Sequence, residues 1–277
     1  MITISNLDFS YSKTSVFRGL TMRLEAGKIY GLLGQNGVGK TTLLKIMAGL
    51  LNAKHGSCEV LGRIPFKREP DFLADVYFVP EDFVGPDIVV NQYAKRRGEF
   101  YPNYDESKFS HLLSEFEVDG TKKFTKLSFG QQKKAILAFA LSTNTKLLLM
   151  DEPSNGLDIP SKTQFRKAMS QSANDENCIV ISTHQVRDLE NLIDPIVILD
   201  NNGVILNESI ERISEKLRFR LSTKEEVQAI YNEPTLGGYV VVEENLEGAE
   251  SKVNIESLFN ATLLNKAHIM NLFNNNK

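Results

Sequence analysis

The strongest chemical signal in the sequence is a glycine-rich loop. Residues 34–42 read GQNGVGKTT, which is a glycine, four further residues, and then Gly39, Lys40 and Thr41. In this spacing the glycines let backbone N–H groups close on phosphates, the lysine reaches the outer phosphates, and the threonine hydroxyl ligates Mg²⁺. The apolar run 29–33 predicts a buried strand before the loop, and apolar residues at helical spacing predict a helix after it. These flanks favour a triphosphate site over a chance glycine-rich turn.

Carboxylates and a histidine follow two further apolar runs. Residues 147–150 read LLLM, the pattern of a strand buried on both faces, and Asp151 and Glu152 come directly after it. Two adjacent carboxylates there are costly to desolvate, so we expect Asp151 to hold Mg²⁺ and Glu152 to polarise the attacking water. A helix cap is the alternative. His184 follows the run 178–182, which predicts a γ-phosphate contact at the same sheet edge, with a cap or loop histidine as the alternative.

A third signal lies at residues 127–131, which read LSFGQ. Ser128 and Gln131 have the spacing of a capping box, which predicts that a helix begins at Ser128. A helix N-terminus is a place where phosphate can bind, but the capping box alone indicates only structure.

The elements around these motifs predict an α/β protein with a P-loop NTPase core and a parallel sheet. Strand-like alternation before the loop predicts an N-terminal antiparallel β subdomain, and helical spacing over about residues 86–142 predicts an inserted helical subdomain. We expect one domain over residues 1–217 and a small α+β extension over 218–277, in which residues 223–231 have a helical pattern. The aromatic run 100–104 is interpreted as core residues beside a turn, with a binding surface as the alternative.

The composition narrows the class of protein. The chain has 277 residues and a net charge of −3, so no basic field indicates nucleic acid as a partner. Cys58 and Cys178 have no metal-binding or disulfide spacing, and we therefore expect the protein to lie in a reducing cytosol. The sequence contains no signal-peptide layout and no apolar run of membrane-spanning length. We therefore expect any action at a membrane to occur through a partner.

Together these motifs, in this order, resemble the ATP-binding subunit of ABC transporters over about residues 1–210. The resemblance implies that residues 34–42 are the Walker A loop, 127–131 the signature motif, 147–152 Walker B and 154–158 the D-loop. It implies nucleotide contacts, some from a second subunit, by Tyr11, Val16, Gly34, Gln35, Asn36, Gly37, Gly39, Lys40, Thr41, Thr42, Ser128, Gly130, Gln131 and Asp158. It also implies Mg²⁺ ligation by Thr41, Glu81 and Asp151, and catalytic roles for Glu152 and His184.

Two residues depart from the family pattern. Glu81 stands where the family usually has a glutamine, which keeps an oxygen ligand but adds negative charge beside the other carboxylates. Phe129 replaces the first glycine of the signature motif, and a phenylalanine adopts positive φ only at a cost. Ser128 and Gly130 remain for phosphate contacts, so we expect an active site. These departures, together with residues 101–105 (YPNYD) and 153–158 (PSNGLD), resemble the type-2 exporters.

The resemblance implies that two such domains pair head to tail, as a homodimer or a heterodimer, with ATP between the loop of one and the signature of the other. We expect an ATPase that powers a membrane exporter through a transmembrane permease, on the cytoplasmic face of the membrane, with motion passing through residues 81–85 and the helical subdomain. A soluble ABC-type ATPase acting on nucleic acid or ribosomes is the alternative, although the sequence has no second cassette, heptad insertion or basic patch. A regulatory module without turnover is a third, against which Glu152 and His184 both argue.

Overall fold

The computed structural model describes residues 1–201 and 203–274, so residues 275–277 of the predicted extension lie outside the described residues. The strands are β1 Ile2–Tyr11, β2 Thr14–Leu24, β3 Lys28–Gly34, β4 His55–Val60, β5 Val76–Val79, β6 Leu147–Asp151, β7 Cys178–Thr183, β8 Ile196–Asp200, β9 Gly203–Glu208, β10 Leu217–Ser222, β11 Tyr231–Thr235 and β12 Gly238–Glu244. The helices are α1 Lys40–Met47, α2 Pro70–Asp75, α3 Val90–Gly98, α4 Glu106–Glu115, α5 Phe129–Ser142, α6 Ile159–Ser172, α7 Ile210–Lys216, α8 Ile255–Leu264 and α9 Lys266–Asn274. Over the described residues, no helix is both long and apolar enough to span a membrane.

The central sheet has six strands in the order β5-β6-β7-β3-β8-β9 within the described part of the chain. The strands from β5 to β8 run parallel, and β9 pairs with β8 in the antiparallel sense. The register places Thr183 opposite Leu33 and Ser182 opposite Asp151, so the carboxyl ends of β3, β6 and β7 lie side by side. This confirms the prediction of an α/β core with a parallel sheet, in which ligand sites form at the carboxyl ends of the strands.

Both faces of this sheet are covered, which explains the uninterrupted apolar runs in its strands. Alternate residues of a strand point to opposite faces. On β6, Leu147 and Leu149 pack into a core that contains α1, while Leu148 and Met150 pack into a second core that contains α5 and α6. The burial of apolar side chains on both sides fixes where each strand ends, and so where the polar residues that follow it lie.

An antiparallel sheet in the order β2-β1-β4 shares the core that contains α1, and it confirms the predicted antiparallel β subdomain. Its inward residues Ile2, Ile4 and Leu7 are completely buried. The end of β1 carries Tyr11 and the start of β2 carries Val16, and both side chains line the cleft described below. The sheet therefore positions the two predicted contacts that precede the glycine-rich loop.

Helices α3, α4 and α5 form a helical subdomain between β5 and β6. Phe139 on α5 lies at the centre of an aromatic cluster, with ring contacts to Tyr77, Tyr93, Tyr101, Tyr104 and Phe109. Because Tyr77 belongs to β5, the cluster joins the helices to the sheet through edge-to-face and tilted packing. Of the aromatic run 100–104, the two tyrosines belong to this cluster and Phe100 is exposed.

Residues 217–274, which we call the C-terminal unit, form a sheet in the order β10-β12-β11. Helix α8 packs against β11 and β12, and α9 packs against α8 and against β9 of the central sheet. Most of the buried apolar residues of the unit belong to the same core as α5 and α6. An ion pair between Lys266 on α9 and Asp200 at the end of β8 adds a polar contact between the C-terminal unit and the central sheet. The unit is therefore packed onto the core of the protein through both apolar and charged groups.

The predicted helix over residues 223–231 is wrong. This segment forms bends and turns up to residue 230, and β11 begins at Tyr231. The Asn232 side chain bonds both the backbone N–H and the carbonyl of Glu226, so a local side-chain bond replaces the helical ladder. Val227, in the middle of the segment, is 98% exposed, so the segment does not present a continuous apolar helix face to the core.

Candidate active site

The loop between β3 and α1 has the backbone shape that its glycines predict. Gly37 and Gly39 have φ angles of 85° and 103°, which residues with side chains rarely adopt. A Cβ on Gly39 would lie 2.6 Å from side-chain atoms of Val16 and Phe17, so the loop packs tightly against β2. Helix α1 then begins at Lys40 with no acidic residue in its first turn. The positive end of its dipole is therefore not neutralised by a carboxylate of that turn.

Lys40 is buried and its side chain returns to the start of the loop. Its Nζ donates hydrogen bonds to the carbonyl oxygens of Gly34 at 2.7 Å and Gln35 at 3.3 Å. Burial lowers the pKa of Lys40, and three carboxylates around the cleft, Glu152 first, oppose that shift. Because its hydrogen-bond partners are neutral carbonyls, Lys40 can bind a phosphate without breaking an ion pair.

Asp151 ends β6 and is almost fully buried. The Ser182 hydroxyl on the neighbouring strand donates to Asp151 Oδ1 at 2.5 Å. Such a charge-assisted hydrogen bond offsets part of the cost of burying the carboxylate and fixes its orientation. Ser182 was not predicted as a site residue. It is nevertheless a polar residue at the end of an apolar strand, and the same pattern identified Asp151.

Glu152 and His184 form a hydrogen-bonded pair in which His184 Nδ1 lies 2.7 Å from Glu152 Oε1. Glu152 has a φ of 44°, an uncommon conformation for a residue with a side chain, and its N–H donates to the Ser182 carbonyl at 3.1 Å. The other carboxylate oxygen, Oε2, is buried and has no hydrogen-bond partner within the protein. An unsatisfied buried carboxylate oxygen is costly, so it is suited to accept a hydrogen bond from a water or ligand in the cleft.

These groups meet in one cleft with a volume of about 510 Å³. Most of the predicted site residues line it, namely Tyr11, Val16, Asn36, Gly37, Gly39, Lys40, Thr41, Thr42, Glu81, Asp151, Glu152 and His184. Gly34 and Gln35 contribute through the carbonyls that hold Lys40. Thr14, the first residue of β2, also lines the cleft and was not predicted, because no motif in the sequence singles it out.

Tyr11 is half exposed at this cleft. Its ring packs edge-on against Phe9 with the ring centroids 4.9 Å apart, and its hydroxyl lies 3.4 Å from Thr42 Oγ1. The neighbouring ring and the hydroxyl contact restrain Tyr11 while leaving part of it accessible. An aromatic surface of this kind can stack on a nucleobase, which remains the predicted role of Tyr11.

Besides Gly34 and Gln35, four predicted nucleotide contacts do not line the cleft: Ser128, Gly130, Gln131 and Asp158. Ser128 and Gln131 form the predicted capping box at the start of α5, in which Gln131 N donates to Ser128 Oγ at 3.3 Å and Ser128 N donates to Gln131 Oε1 at 3.1 Å. Asp158 caps α6 by accepting from Ser161 N, and the bonds to Ser161 lower the pKa of Asp158. The capping prediction is confirmed, and the nucleotide roles of these four residues remain predictions.

Phe129 is the first residue of α5 and has no positive φ. The expectation that a side chain at this position carries a backbone cost is therefore wrong, because a helical conformation suits phenylalanine. The ring is 53% exposed and lies against Gly156, where an added Cβ would be 2.6 Å from a ring carbon. Phe129 thus joins the start of α5 to the loop 154–158.

The loop that carries Glu81 is anchored to α5. Lys133 Nζ donates to the carbonyl oxygens of Glu81 at 2.7 Å and Pro80 at 3.4 Å, and Gln132 Oε1 accepts from Gly85 N at 3.0 Å. Lys133 is only 1% exposed, and this burial lowers the pKa of its ammonium group. Nearby carboxylates, that of Glu81 first, oppose the shift. Lys133 was not predicted from the sequence. It links α5, which begins in the signature motif, to Glu81, a predicted metal ligand.

The predicted Mg²⁺ ligands Thr41, Glu81 and Asp151 all line the cleft. They offer a hydroxyl and two carboxylates, which are the hard oxygen donors that Mg²⁺ prefers together with phosphate oxygens and water. Asn155 Nδ2 donates to Glu81 Oε1 at 3.0 Å, so the loop 154–158 orients this carboxylate. The residues present therefore fit Mg²⁺ bound with a phosphate.

Comparison with known proteins finds similarity to ATP-binding proteins of transporters. The model of a family described as ABC transporter matches residues 17–155, just over half of the chain. The chain is similar to the ABC transporter ATP-binding protein YtrB of Bacillus subtilis, with 26% identity over 218 residues that cover 78% of this chain and 74% of YtrB. It is also similar to the lantibiotic transport ATP-binding protein SrtF of Streptococcus pyogenes, with 28% identity over 213 residues that cover 76% of this chain and 92% of SrtF.

A solved structure shares the fold. The ATP-binding cassette MJ0796, as a dimer in a post-hydrolysis state bound to ADP and Pi, superposes with a TM-score of 0.66 and 19% identity over 76% of this chain and 98% of that chain. At this identity the likeness shows the fold. It agrees with the central parallel sheet and the antiparallel strands described above.

Replacing Lys133 with methionine tests the anchor between α5 and the Glu81 loop. The change keeps the apolar stem and removes the ammonium group, so two buried carbonyls lose their partner, which should lower the free energy of unfolding by about 1–3 kcal/mol. We expect kcat for ATP hydrolysis to fall by at least about 10-fold, because small displacements of a ligand are costly to catalysis. Urea unfolding and steady-state ATPase assays measure both effects. Lys134→Met, on the next and less buried residue, is the control, and equal turnover of the two variants would contradict the anchoring role.

Proposed function

This chain belongs to the ABC transporter family, and from that membership we propose that it is the ATP-hydrolysing subunit of a membrane exporter, assembled as a dimer of two copies. The chain is an ATPase of this family. In this proposal ATP binds in the cleft between the glycine-rich loop and the ends of β6 and β7. Family membership does not fix the direction of transport, the permease or the dimer composition, so these three features are proposed.

The observation that carries hydrolysis is the pairing of Glu152 with His184 in the cleft that Lys40 also lines. Loop N–H groups and Lys40 would hold the phosphates. Glu152 Oε2 would accept a hydrogen from the attacking water, and His184 would orient the carboxylate through Oε1. When bound, Mg²⁺ neutralises phosphate charge and orients the leaving group, with Thr41, Glu81 and Asp151 as its protein ligands.

The proposed dimer follows from the position of the signature motif. The start of α5 lies outside the cleft of its own chain, yet it presents a capped helix N-terminus of the kind that binds phosphate. A second copy related by a two-fold axis would bring its own α5 to this cleft, and the first copy would do the same in return. Because one chain carries the loop, both carboxylates, the histidine and the signature, two identical copies suffice for two complete sites.

A groove between α1 and the helical subdomain supports a permease as partner. It has a volume of about 380 Å³ and combines apolar and basic groups, including Leu50, Phe78, Phe100, Arg68 and Arg97. Exposed apolar groups of this size are uncommon on a surface that faces only water, and they suit a helix of a partner protein. Motion would reach this groove because Phe78 belongs to β5, the strand directly before the Glu81 loop.

Export is supported by the character of the departures from the family pattern. Glu81, Phe129 and residues 101–105 and 153–158 resemble the type-2 exporters. The relative SrtF is named for lantibiotic transport. We propose that the dimer acts on the cytoplasmic face of the membrane, where ATP is available. ATP-driven closure of the two copies would move the permease, and hydrolysis would release them.

Glu152→Gln tests the assigned base. We expect turnover to fall by about 10²- to 10⁴-fold while ATP binding persists, because the amide keeps the shape of the carboxylate but cannot accept a proton. Steady-state phosphate release and equilibrium binding of a fluorescent ATP analogue separate the two effects. Glu59→Gln, an exposed glutamate on β4, is the control. Unchanged hydrolysis in Glu152→Gln would overturn its assignment.

A pull-down from mild-detergent extracts tests the partner. We expect the tagged protein to recover a protein with membrane-spanning helices, and Phe100→Asp to reduce that recovery because it replaces an exposed apolar ring of the groove with a carboxylate. Phe100 is 66% exposed, so the substitution should leave folding and basal ATPase activity unchanged. Leu236→Asp, an exposed apolar residue of the C-terminal unit, is the matched control. Co-purified ribosomes without a membrane protein would overturn the transporter assignment and favour a soluble ABC-type machine.

A further inference from the structure

The C-terminal unit contacts the core next to His184. A short 3₁₀ turn at Val186–Asp188 follows the histidine after a single intervening residue. Val186 and Leu189 are buried in the same apolar core as Ile255, the first residue of α8, and α8 packs against the turn. The buried start of α8 is therefore in position to fix the backbone that carries the histidine.

Charged groups of complementary sign surround this apolar contact. Arg187 Nε lies 2.5 Å from Glu256 Oε2, and Lys252 Nζ lies 3.7 Å from Glu190 Oε1. Exposed ion pairs contribute little free energy each, so the apolar contact carries most of the attachment and the charges specify its alignment. Both pairs join the segment after His184 to residues at or just before the start of α8.

The opposite side of the turn is held by α6. Lys162 Nζ lies 2.6 Å from Asp188 Oδ2, and Arg166 Nη1 donates to the Asp188 carbonyl at 3.0 Å. The turn thus lies between a helix of the ATPase core and a helix of the C-terminal unit. A change in the position of α8 would shift the turn relative to α6.

We propose that the start of α8 is a positioning element for hydrolysis, in which Ile255 and Glu256 hold the turn 186–188 and thereby keep His184 aligned with Glu152. Gln185 is the one residue between the turn and His184, and its N–H is fixed to Thr183 Oγ1 at 2.9 Å. Planar peptide units transmit a displacement over so short a link. The 2.7 Å contact between His184 and Glu152 weakens steeply with misalignment. This inference rests on the proposed function, because it assumes that the pair acts in hydrolysis.

Two isoleucines of the C-terminal unit provide a matched comparison. Ile255 and Ile269 are both buried, at 1% and 0% exposure. Ile255 lines a groove next to the turn, together with Val186 and Arg187, whereas Ile269 is on α9 and does not line this groove. Both alanine variants should lose stability through similar cavities. We expect Ile255→Ala to lower kcat by about 2- to 30-fold with little change in the KM for ATP, and Ile269→Ala to leave kcat unchanged. Equal kcat values in the two variants would overturn the proposal.

An exchange of charges provides a second test that does not depend on the core. Arg187→Glu and Glu256→Arg should each lower kcat, and the double variant should recover it, because the pair is restored with its charges reversed. A purely structural role would shift unfolding without this rescue of kcat, and absence of rescue would count against the proposal.

Glu152→Gln in the same assay separates the possible failures. If it keeps wild-type turnover, the proposed catalytic pair is wrong, and the positioning role falls with it. If it abolishes turnover while Ile255→Ala behaves like Ile269→Ala, the proposed function stands and the positioning inference alone is overturned.

Discussion

The parallel pairing of β6 with β7 is the constraint on which the site depends. Because Asp151 lies opposite Ser182, the serine hydroxyl binds the Asp151 carboxylate and the serine carbonyl accepts the Glu152 N–H. The pairing of β3 with β7 brings the glycine-rich loop to the same edge. A slip of one residue in either register would turn these side chains to the other face of the sheet. Strand register, rather than long loops, therefore assembles the side chains proposed to contact phosphate, metal and water.

Three of the buried charges at this edge have neutral partners. Lys40 and Lys133 bind backbone carbonyls, and Asp151 binds a hydroxyl. In a buried ion pair the two charges would satisfy each other, and removing one partner would be costly. With neutral partners each charge keeps its capacity for a ligand of opposite sign. A bound nucleotide with its metal would supply the missing partners, so binding also stabilises the folded site.

Sequence analysis predicted those parts of the protein that depend on local spacing. The glycine-rich loop, the strand-end carboxylates and the α5 capping box each have their determinants within a few residues. Lys133 was missed because its carbonyl partners lie more than fifty positions away, at Pro80 and Glu81, and a lysine on a helix normally faces solvent. The contact between the turn 186–188 and α8 is equally remote in sequence. The helix expected over 223–231 does not form because bonds from the Asn232 side chain to the Glu226 backbone replace the helical ladder.

A mixed-chain ATPase assay tests most directly the central claim that each site combines two copies. Lys40→Ala removes the proposed phosphate lysine, and Gly130→Asp places a carboxylate in the first turn of α5, where it would repel phosphate bound to the partner copy. Each variant alone should be inactive. A one-to-one mixture should recover up to about a quarter of wild-type activity, because half of the dimers contain one site with both parts intact. Full activity of Gly130→Asp alone, or a mixture as inactive as its components, would contradict the account.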